Sequence, residues 1–292
     1  MLIRKDGLNL EKKKRSINLN GELIWLNEPV VMGILNVTPD SFFDGGKYQN
    51  EDAVLKRAEQ IVEEGGKIID IGAYSTRPGA NDVSAKEEID RLLPAVKLIR
   101  DRFPQVGISI DTFRAEVVQE IVKEAGLCMV NDISGGTMDE KMFETIAQLK
   151  VPYVLMHIQG TPQTMQEQPQ YDDVARDVIR DLAAKVNHLH RLGISDVIID
   201  PGFGFGKTLD HNYELLNRLD AFEEFRLPLL VGVSRKSMIF RLLGITPQES
   251  LSGTTALNML ALQAGADILR VHDVKEAVET VKIYEKLKST LK

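Results

Sequence analysis

The chain has 292 residues, 43% hydrophobic and 27% charged, with a formal net charge of −7 and a single cysteine, Cys128. That length fits two domains or one barrel of the size common to (β/α)8 folds, and a chain this long buries about 75% of its unfolded surface. The acidic balance argues against nucleic acid or an anionic membrane as partner; one cysteine excludes an intrachain disulfide and fits a cytoplasmic location, and no apolar run reaches the roughly 18 residues of a membrane span.

The N-terminus, MLIRKDGLNLEKKKR, mixes charges with aliphatics and lacks a signal-peptide core. Its basic cluster, Lys12 to Arg15, reads as a solvated end. Ser16–Glu28 alternates apolar and polar around Asn20-Gly21, a strong hairpin signal. Coming before the repeating part of the chain, this hairpin reads as a plug over the bottom of a barrel, with Trp25 packed there.

Eight short apolar runs follow: Val30–Leu35, Ile68–Ile71, Gly107–Ile110, Cys128–Val130, Tyr153–Met156, Val197–Ile199, Leu229–Val233 and Ile268–Val271. Each suits a strand buried on both faces. Cys128 lies inside one of them and reads as a small buried hydrophobe rather than a reactive thiol. Helical patterns lie between most runs. Glu51–Glu64 has one apolar face and stops at Gly65-Gly66. Ser84–Phe103 opens on a capping box, Ser84 to Glu87, and carries Pro94, which predicts a kink or a split. Phe113–Ala125, Tyr171–Leu192 and Leu251–Ala264 each end at a glycine. Eight strands alternating with helices predict an α/β fold, a (β/α)8 TIM barrel, as one domain over 1–292 with the hairpin at 16–28 and the barrel at 30–292. An open doubly wound sheet is the structural alternative.

The residues at the ends of these runs carry the chemistry: Asn36, Ser75-Thr76-Arg77, Asp111, Asn131-Asp132, His157, Asp200, Ser234-Arg235-Lys236, and Arg270 with His272. In a barrel all these ends open onto one face, which holds the active site. One terminal Asp or Asn is usually a helix N-cap, but capping alone poorly explains eight polar termini. Asp70 sits mid-strand and reads as a buried carboxylate bonded to a neighbour. GFGFGKT is not a P-loop, because Pro201 stands where its first glycine belongs and the following helix is poorly marked. Asp111, Asp132, Asp200, His157 and His272 are oxygen and nitrogen donors that a metal cluster would use. Without close ligand pairs, one weakly held Mg2+ shared with an anionic substrate is the better expectation than a caged metal.

The segments MGILNVTPDSFFDGG, IDIGAYSTRPG, SIDTFR, NDISGG, DPGFGFGK, GVSRKS and RVHDV, in this order, resemble the dihydropteroate synthase family over the chain after the hairpin. The resemblance implies condensation of 6-hydroxymethyl-7,8-dihydropterin diphosphate with p-aminobenzoate, by a dissociative, SN1-like route needing no protein nucleophile. It implies a pterin site of Asp111, Asn131, Asp200, Phe205 and Lys236, and diphosphate contacts from Asn36, Thr76, Arg77, Arg270 and His272. Asn36 would also ligate Mg2+ through its amide oxygen. The p-aminobenzoate pocket would draw on Phe42, Asp44, Thr76, Arg77, Pro78, Lys236 and Ser237, and would accept sulfonamide-type inhibitors. On residues alone Phe42 and Phe43 are loop anchors; the resemblance makes Phe42 functional. It also implies a homodimer, with the apolar helical faces after Leu251 as candidate interface. Two departures touch loops only: Tyr74 stands where the family usually has an acidic or amide residue, and MHIQGTP replaces a commoner HMQG-type form.

Two rival functions use the same barrel. A methyltetrahydrofolate-type pterin methyltransferase would share Asp111, Asn131 and Asp200 but needs neither a diphosphate site nor the STRPG loop. A non-catalytic pterin-binding paralogue would be expected to lose such residues, and none is missing here.

Overall fold

The computed structural model describes residues 15–19, 21–37, 47–74, 83–161, 165 and 169–290, with the backbone alone at 47–50. Two short antiparallel strands, β1 (Ser16–Leu19) and β2 (Glu22–Trp25), pair with Ser16 opposite Trp25 and Leu19 opposite Glu22. This register leaves a two-residue turn in which Gly21 has φ 82°, the left-handed conformation that the Asn-Gly signal predicts; Asn20 lies outside the described residues.

Eight parallel strands follow: β3 (Val30–Asn36), β4 (Ile68–Gly72), β5 (Gly107–Asp111), β6 (Met129–Asp132), β7 (Tyr153–Met156), β8 (Val197–Asp200), β9 (Leu230–Val231) and β10 (Ile268–Val271). Neighbours pair in chain order from β3 to β8, while β10 lies between β3 and β9. A parallel bridge between Ile199 and Leu229 joins β8 to the start of β9 and completes the circuit. The barrel is therefore closed, and the open-sheet alternative is excluded.

Helices α1 (Lys47–Glu63), α2 (Ala85–Arg102), α3 (Ala115–Ala125), α4 (Met142–Leu149), α5 (Val174–Arg191), α6 (Leu209–Asn217), α7 (Ser237–Leu243), α8 (Leu251–Gln263) and α9 (Val274–Ser289) surround it. Ser84 caps α2 by accepting from the Glu87 amide at 3.2 Å. That helix runs unbroken through Pro94, so the expected split does not occur. One missing N–H costs less than the burial of Leu92, Val96 and Ile99 on its inner face returns.

Alternation along the strands divides the core in two. Outward residues such as Val31, Ile69, Ile71, Ile108 and Val130 pack against the helices. The lowest inward ones, including Met32, Ile68, Met129, Ile198 and Ile268, form an apolar floor closed from below by Ile17, Leu19 and Leu26. Gly107 makes room for this plug, since a Cβ there would come within 2.8 Å of Leu19 Cδ1. The hairpin thus caps the bottom, but Trp25 is 48% exposed and is not the packing residue. Ile17 and Ile24 point upward, and pleat alternation turns Leu23 and Trp25 to the other side. Arg15 is no solvated end either: it pairs with Glu223 and, at 2.5 Å, with Asp267. No helix among the described residues is long and apolar enough to cross a membrane.

Candidate active site

Above the floor the barrel interior turns polar. Asn36, Gly72, Asp111 and Asn131 lie side by side on four adjacent strands. Gly72 is the gap in that row: a Cβ there would stand 3.4 Å from Asn36 Oδ1 and 3.5 Å from Asp111 Cβ.

One row lower, Asp70 is fully buried, and it organises the mouth. Its Oδ2 accepts from Asn131 Nδ2 at 2.9 Å and from Arg270 Nε at 2.6 Å. Arg270 Nη2 donates to Asp111 Oδ2 at 2.7 Å. One guanidinium thus braces two carboxylates and leaves its remaining N–H groups for a ligand. Burial works against the Arg270 charge, but Asp70 and Asp111 outweigh it and raise its pKa. Burial pushes Asp111 up to about 7, with Arg270 opposing and Asp70 adding to the rise. Asp70 Oδ1 and Ser109 Oγ, on paired positions of β4 and β5, are buried without a partner among the described residues.

Asp200, at the end of β8, accepts from the Gly202 amide at 2.7 Å through Oδ1. Burial raises its pKa, offset first by Lys236. Lys236 crosses from the start of α7, bonds the Phe203 carbonyl and stands 4.7 Å over the Phe205 ring. Burial pulls its pKa down to about 8, with Asp200 opposing. Ser237 opens α7, where no side chain caps the first turn. An apolar wall of Phe113, Ile133, Met156 and Ile158, with Phe205 and Tyr74 packed against it, flanks these groups.

Asn36 and His272 line a cleft of about 480 Å³ together with the cations Arg57, Arg235 and Lys275 and the acids Glu64, Asp273 and Glu276. Arg57 donates to the His272 carbonyl at 2.6 Å. Ser234 Oγ accepts from the His272 backbone N–H at 3.1 Å and also stands 3.1 Å from the ring Nδ1. Burial, and then Arg270, lower the His272 pKa to about 4. The ring is therefore neutral.

The structure thus gathers Asn36, Asp111, Asn131, Asp200, Phe205, Lys236, Ser237, Arg270 and His272 on one rim. Phe42, Phe43, Asp44, Thr76, Arg77 and Pro78 lie outside the described residues. Three rim candidates are engaged by other protein groups. Asp132 faces outward and accepts from Ser134 Oγ at 2.7 Å, Gly136 N at 2.9 Å and Tyr153 OH at 2.7 Å. His157 Nδ1 meets Lys207 Nζ at 3.0 Å, and Arg235 pairs with Asp273 through Nε at 3.0 Å. A metal cluster from these acids and histidines is thereby dismantled, and among the described residues no group of three or more such ligands converges. Helix α6 does begin directly after Lys207, contrary to expectation, with Thr208 as its cap. Lys207 is nonetheless 3% exposed and bonded inward, so it offers nothing to a phosphate. Asp70 is a buried carboxylate bonded to neighbouring side chains, as its mid-strand place predicts; its bracing of Arg270, the Ser234–His272 contact and the apolar wall were not foreseen.

Comparison with known proteins agrees with this geometry. The family described as Pterin binding enzyme matches residues 32–272. Dihydropteroate synthase of Escherichia coli K12 is 48% identical over 267 residues, covering 91% of this chain and 94% of that protein. The Yersinia pestis dihydropteroate synthase in a sulfonamide drug complex superposes with a TM-score of 0.87 at 44% identity, covering 94% of this chain and 99% of the other. The Xanthomonas albilineans enzyme with 4-aminobenzoic acid does so with a TM-score of 0.87 at 37% identity, covering 94% and 98%. The chain belongs to the dihydropteroate synthase family of pterin-binding enzymes.

Proposed function

We infer that the chain joins 6-hydroxymethyl-7,8-dihydropterin diphosphate to p-aminobenzoate, giving 7,8-dihydropteroate and pyrophosphate. The observation that carries this is the position of Asp111, Asn131, Asp200 and Lys236 in one buried mouth directly beside Arg270 and the Asn36–His272 cleft. The first group matches a pterin ring in polarity; the second matches its leaving group.

In this reading Asp200 accepts the adjacent N–H groups of the pterin's amino-pyrimidinone edge, Asn131 and Asp111 meet other ring groups, and Lys236 donates to the acceptor edge. Phe205 and the apolar wall pack on the ring faces. The methylene–oxygen bond breaks with its electron pair leaving on pyrophosphate. Free N–H groups of Arg270 and the ring N–H of His272 receive that negative charge, which fixed donors stabilise without reorganisation. Positive charge left on the dihydropterin sits beside Asp111 and above Asp70. The amine of p-aminobenzoate then forms the C–N bond and sheds a proton.

No protein nucleophile is required. Cys128 is 1% exposed in the outer core, and burial pushes its thiol up to about 12. Mg2+ fits the donors at the cleft: Asn36 offers a neutral amide oxygen at the rim with no hydrogen-bond partner among the described residues, and this ion is usually held by few protein oxygens plus substrate phosphates and water. It would neutralise diphosphate charge. The p-aminobenzoate pocket is assigned to Ser237 and Lys236 together with Phe42, Asp44, Thr76, Arg77 and Pro78, and a cytoplasmic setting accords with the lone buried thiol.

Pyrophosphate release is expected to require both substrates and to be inhibited by a sulfonamide competitively against p-aminobenzoate. Release with the pterin diphosphate alone would point to a hydrolase instead. Asn36→Ala should weaken binding of the pterin diphosphate roughly 10-fold, the loss of one charge-assisted contact, and leave binding of the diphosphate-free pterin unchanged. Calorimetric titration separates the two, and equal losses would show the metal and diphosphate site to be misplaced.

A homodimer is the assembly we favour. Leu242 and Leu243 on α7, Leu260 on α8 and Ile283 on α9 are large apolar side chains exposed on helices that contact one another in sequence, and exposed apolar surface of this kind marks interfaces. Sedimentation should give twice the mass of the chain; a single-chain mass at micromolar concentration would remove the proposal.

A further inference from the structure

The proposed chemistry leaves unused a buried lysine beside the mouth. Lys207 is 3% exposed, and its Nζ lies 2.9 Å from the Gly202 carbonyl, 3.1 Å from the Phe205 carbonyl and 3.0 Å from His157 Nδ1. An ammonium has three N–H bonds and no acceptor, and here each finds one acceptor. The third works only if His157 is neutral with its proton on Nε2. Burial, and then Lys207 itself, drive the His157 pKa down to about 2, so the ring stays neutral, while burial pulls the Lys207 pKa down to about 7 with Asp200 opposing.

What Lys207 holds is the backbone that presents two pterin-facing groups. Gly202, whose carbonyl it takes, donates its own N–H to Asp200 Oδ1 at 2.7 Å. Phe205, whose carbonyl it also takes, carries the ring under Lys236. Between them the Phe203 carbonyl is taken by Lys236 from the mouth side. The segment 202–205 therefore hangs between two lysines, one in the site and one behind it. Gly202 at φ +71° lies so close to β7 that a Cβ would stand 1.9 Å from the His157 carbonyl, so the loop is pressed against the strand that bears the third acceptor.

We propose that Lys207 is a positioning residue for the pterin site, clamping the 202–205 loop from behind so that Asp200 and Phe205 hold their binding geometry, with His157 as its fixed acceptor. The lysine never touches substrate. It acts through Gly202 on the carboxylate and through Phe205 on the ring. The inference rests on Asp200 being the pterin acceptor.

The test measures the Kd of pterin diphosphate by calorimetry, and KM for each substrate with the other saturating. Lys207→Met should weaken pterin diphosphate binding roughly 10- to 100-fold, the range for hydrogen bonds to a charged group, while the p-aminobenzoate KM moves less than about 3-fold. His157→Leu should weaken pterin binding in the same direction, and His157→Asn, which retains a side-chain acceptor, should restore most of it. A folded Lys207→Met with unaltered pterin affinity, or with equal losses for both substrates, overturns the proposal. If Lys207→Met does not fold, the His157 pair decides, and equal affinities of its two variants overturn it. Asp200→Asn is the control: normal pterin affinity there would remove the site reading itself, whereas a loss there with none in Lys207→Met removes the clamp alone.

Discussion

Asp200→Asn is expected to reduce pterin diphosphate affinity roughly 10- to 150-fold, because a hydrogen bond to a charged group contributes about 1.5–3 kcal/mol. The substitution is nearly isosteric, so packing is spared and the loss is electrostatic. An amide keeps one acceptor oxygen but presents an NH₂ either to the pterin N–H groups or to the Gly202 amide, which now donates to Oδ1 at 2.7 Å. Donor would face donor. The buried countercharge for Lys236 also disappears. Since Asp200 holds the Lys236 pKa up against burial, its removal takes that value below about 8. A lysine that must donate to the pterin then loses its proton at lower pH, and the alkaline limb of pterin binding shifts toward neutral. Calorimetric titration from pH 6 to pH 9 checks both parts. An affinity within about twofold of the parent enzyme at every pH would mean the ring sits elsewhere.

Much of this site was legible before the structure. Runs such as Ile68–Ile71 and Val197–Ile199 carry enough apolar residues to be buried on both faces, which only an enclosed parallel strand needs. Their count gave the barrel and their polar ends gave the rim. Orientation at those ends was less legible. Asn131 and Asp132 are consecutive, so they point to opposite faces, and only one can enter the barrel. Asn131 does. The β2 run ELIWL is apolar on both faces, so it could not say that Ile24 and not Trp25 meets the floor. Partners distant in sequence were beyond reach altogether. Asp70 and Arg270 are 200 positions apart, and Lys207 finds His157 50 positions earlier, so local pattern holds no trace of either bond. The short β9 was over-read as Leu229–Val233 because the polar mouth begins at Gly232, where apolar composition persists after strand pairing has ended.

Arg270→Met should be the most damaging single change. Met matches the stem of arginine but removes the group that braces Asp70 at 2.6 Å and Asp111 at 2.7 Å. Removing one partner from a buried ion pair costs about 3–5 kcal/mol, since the charges left behind have lost both water and counterion. Turnover should fall as well, through loss of the donors facing the diphosphate. Removing a single preorganised donor of this kind costs about 100- to 1,000-fold in kcat. The pH dependence separates the two effects. The Asp111 pKa lies at about 7 in the folded enzyme, above its ordinary value of 3.8, so the folded state binds the proton more tightly than the unfolded one. Stability from this group therefore declines as pH rises from about 4 to about 7. Arg270 opposes that decline by favouring the carboxylate, so without it the Asp111 pKa climbs further and the decline extends to higher pH. The variant should be less stable than the parent at both pH values because the Asp70 pair is lost, with the deficit smaller at pH 5, where Asp111 is protonated in both, than at pH 8. Denaturant unfolding at the two pH values measures the difference. A deficit that is the same at pH 5 and pH 8 would show that Asp111 does not depend on the Arg270 charge.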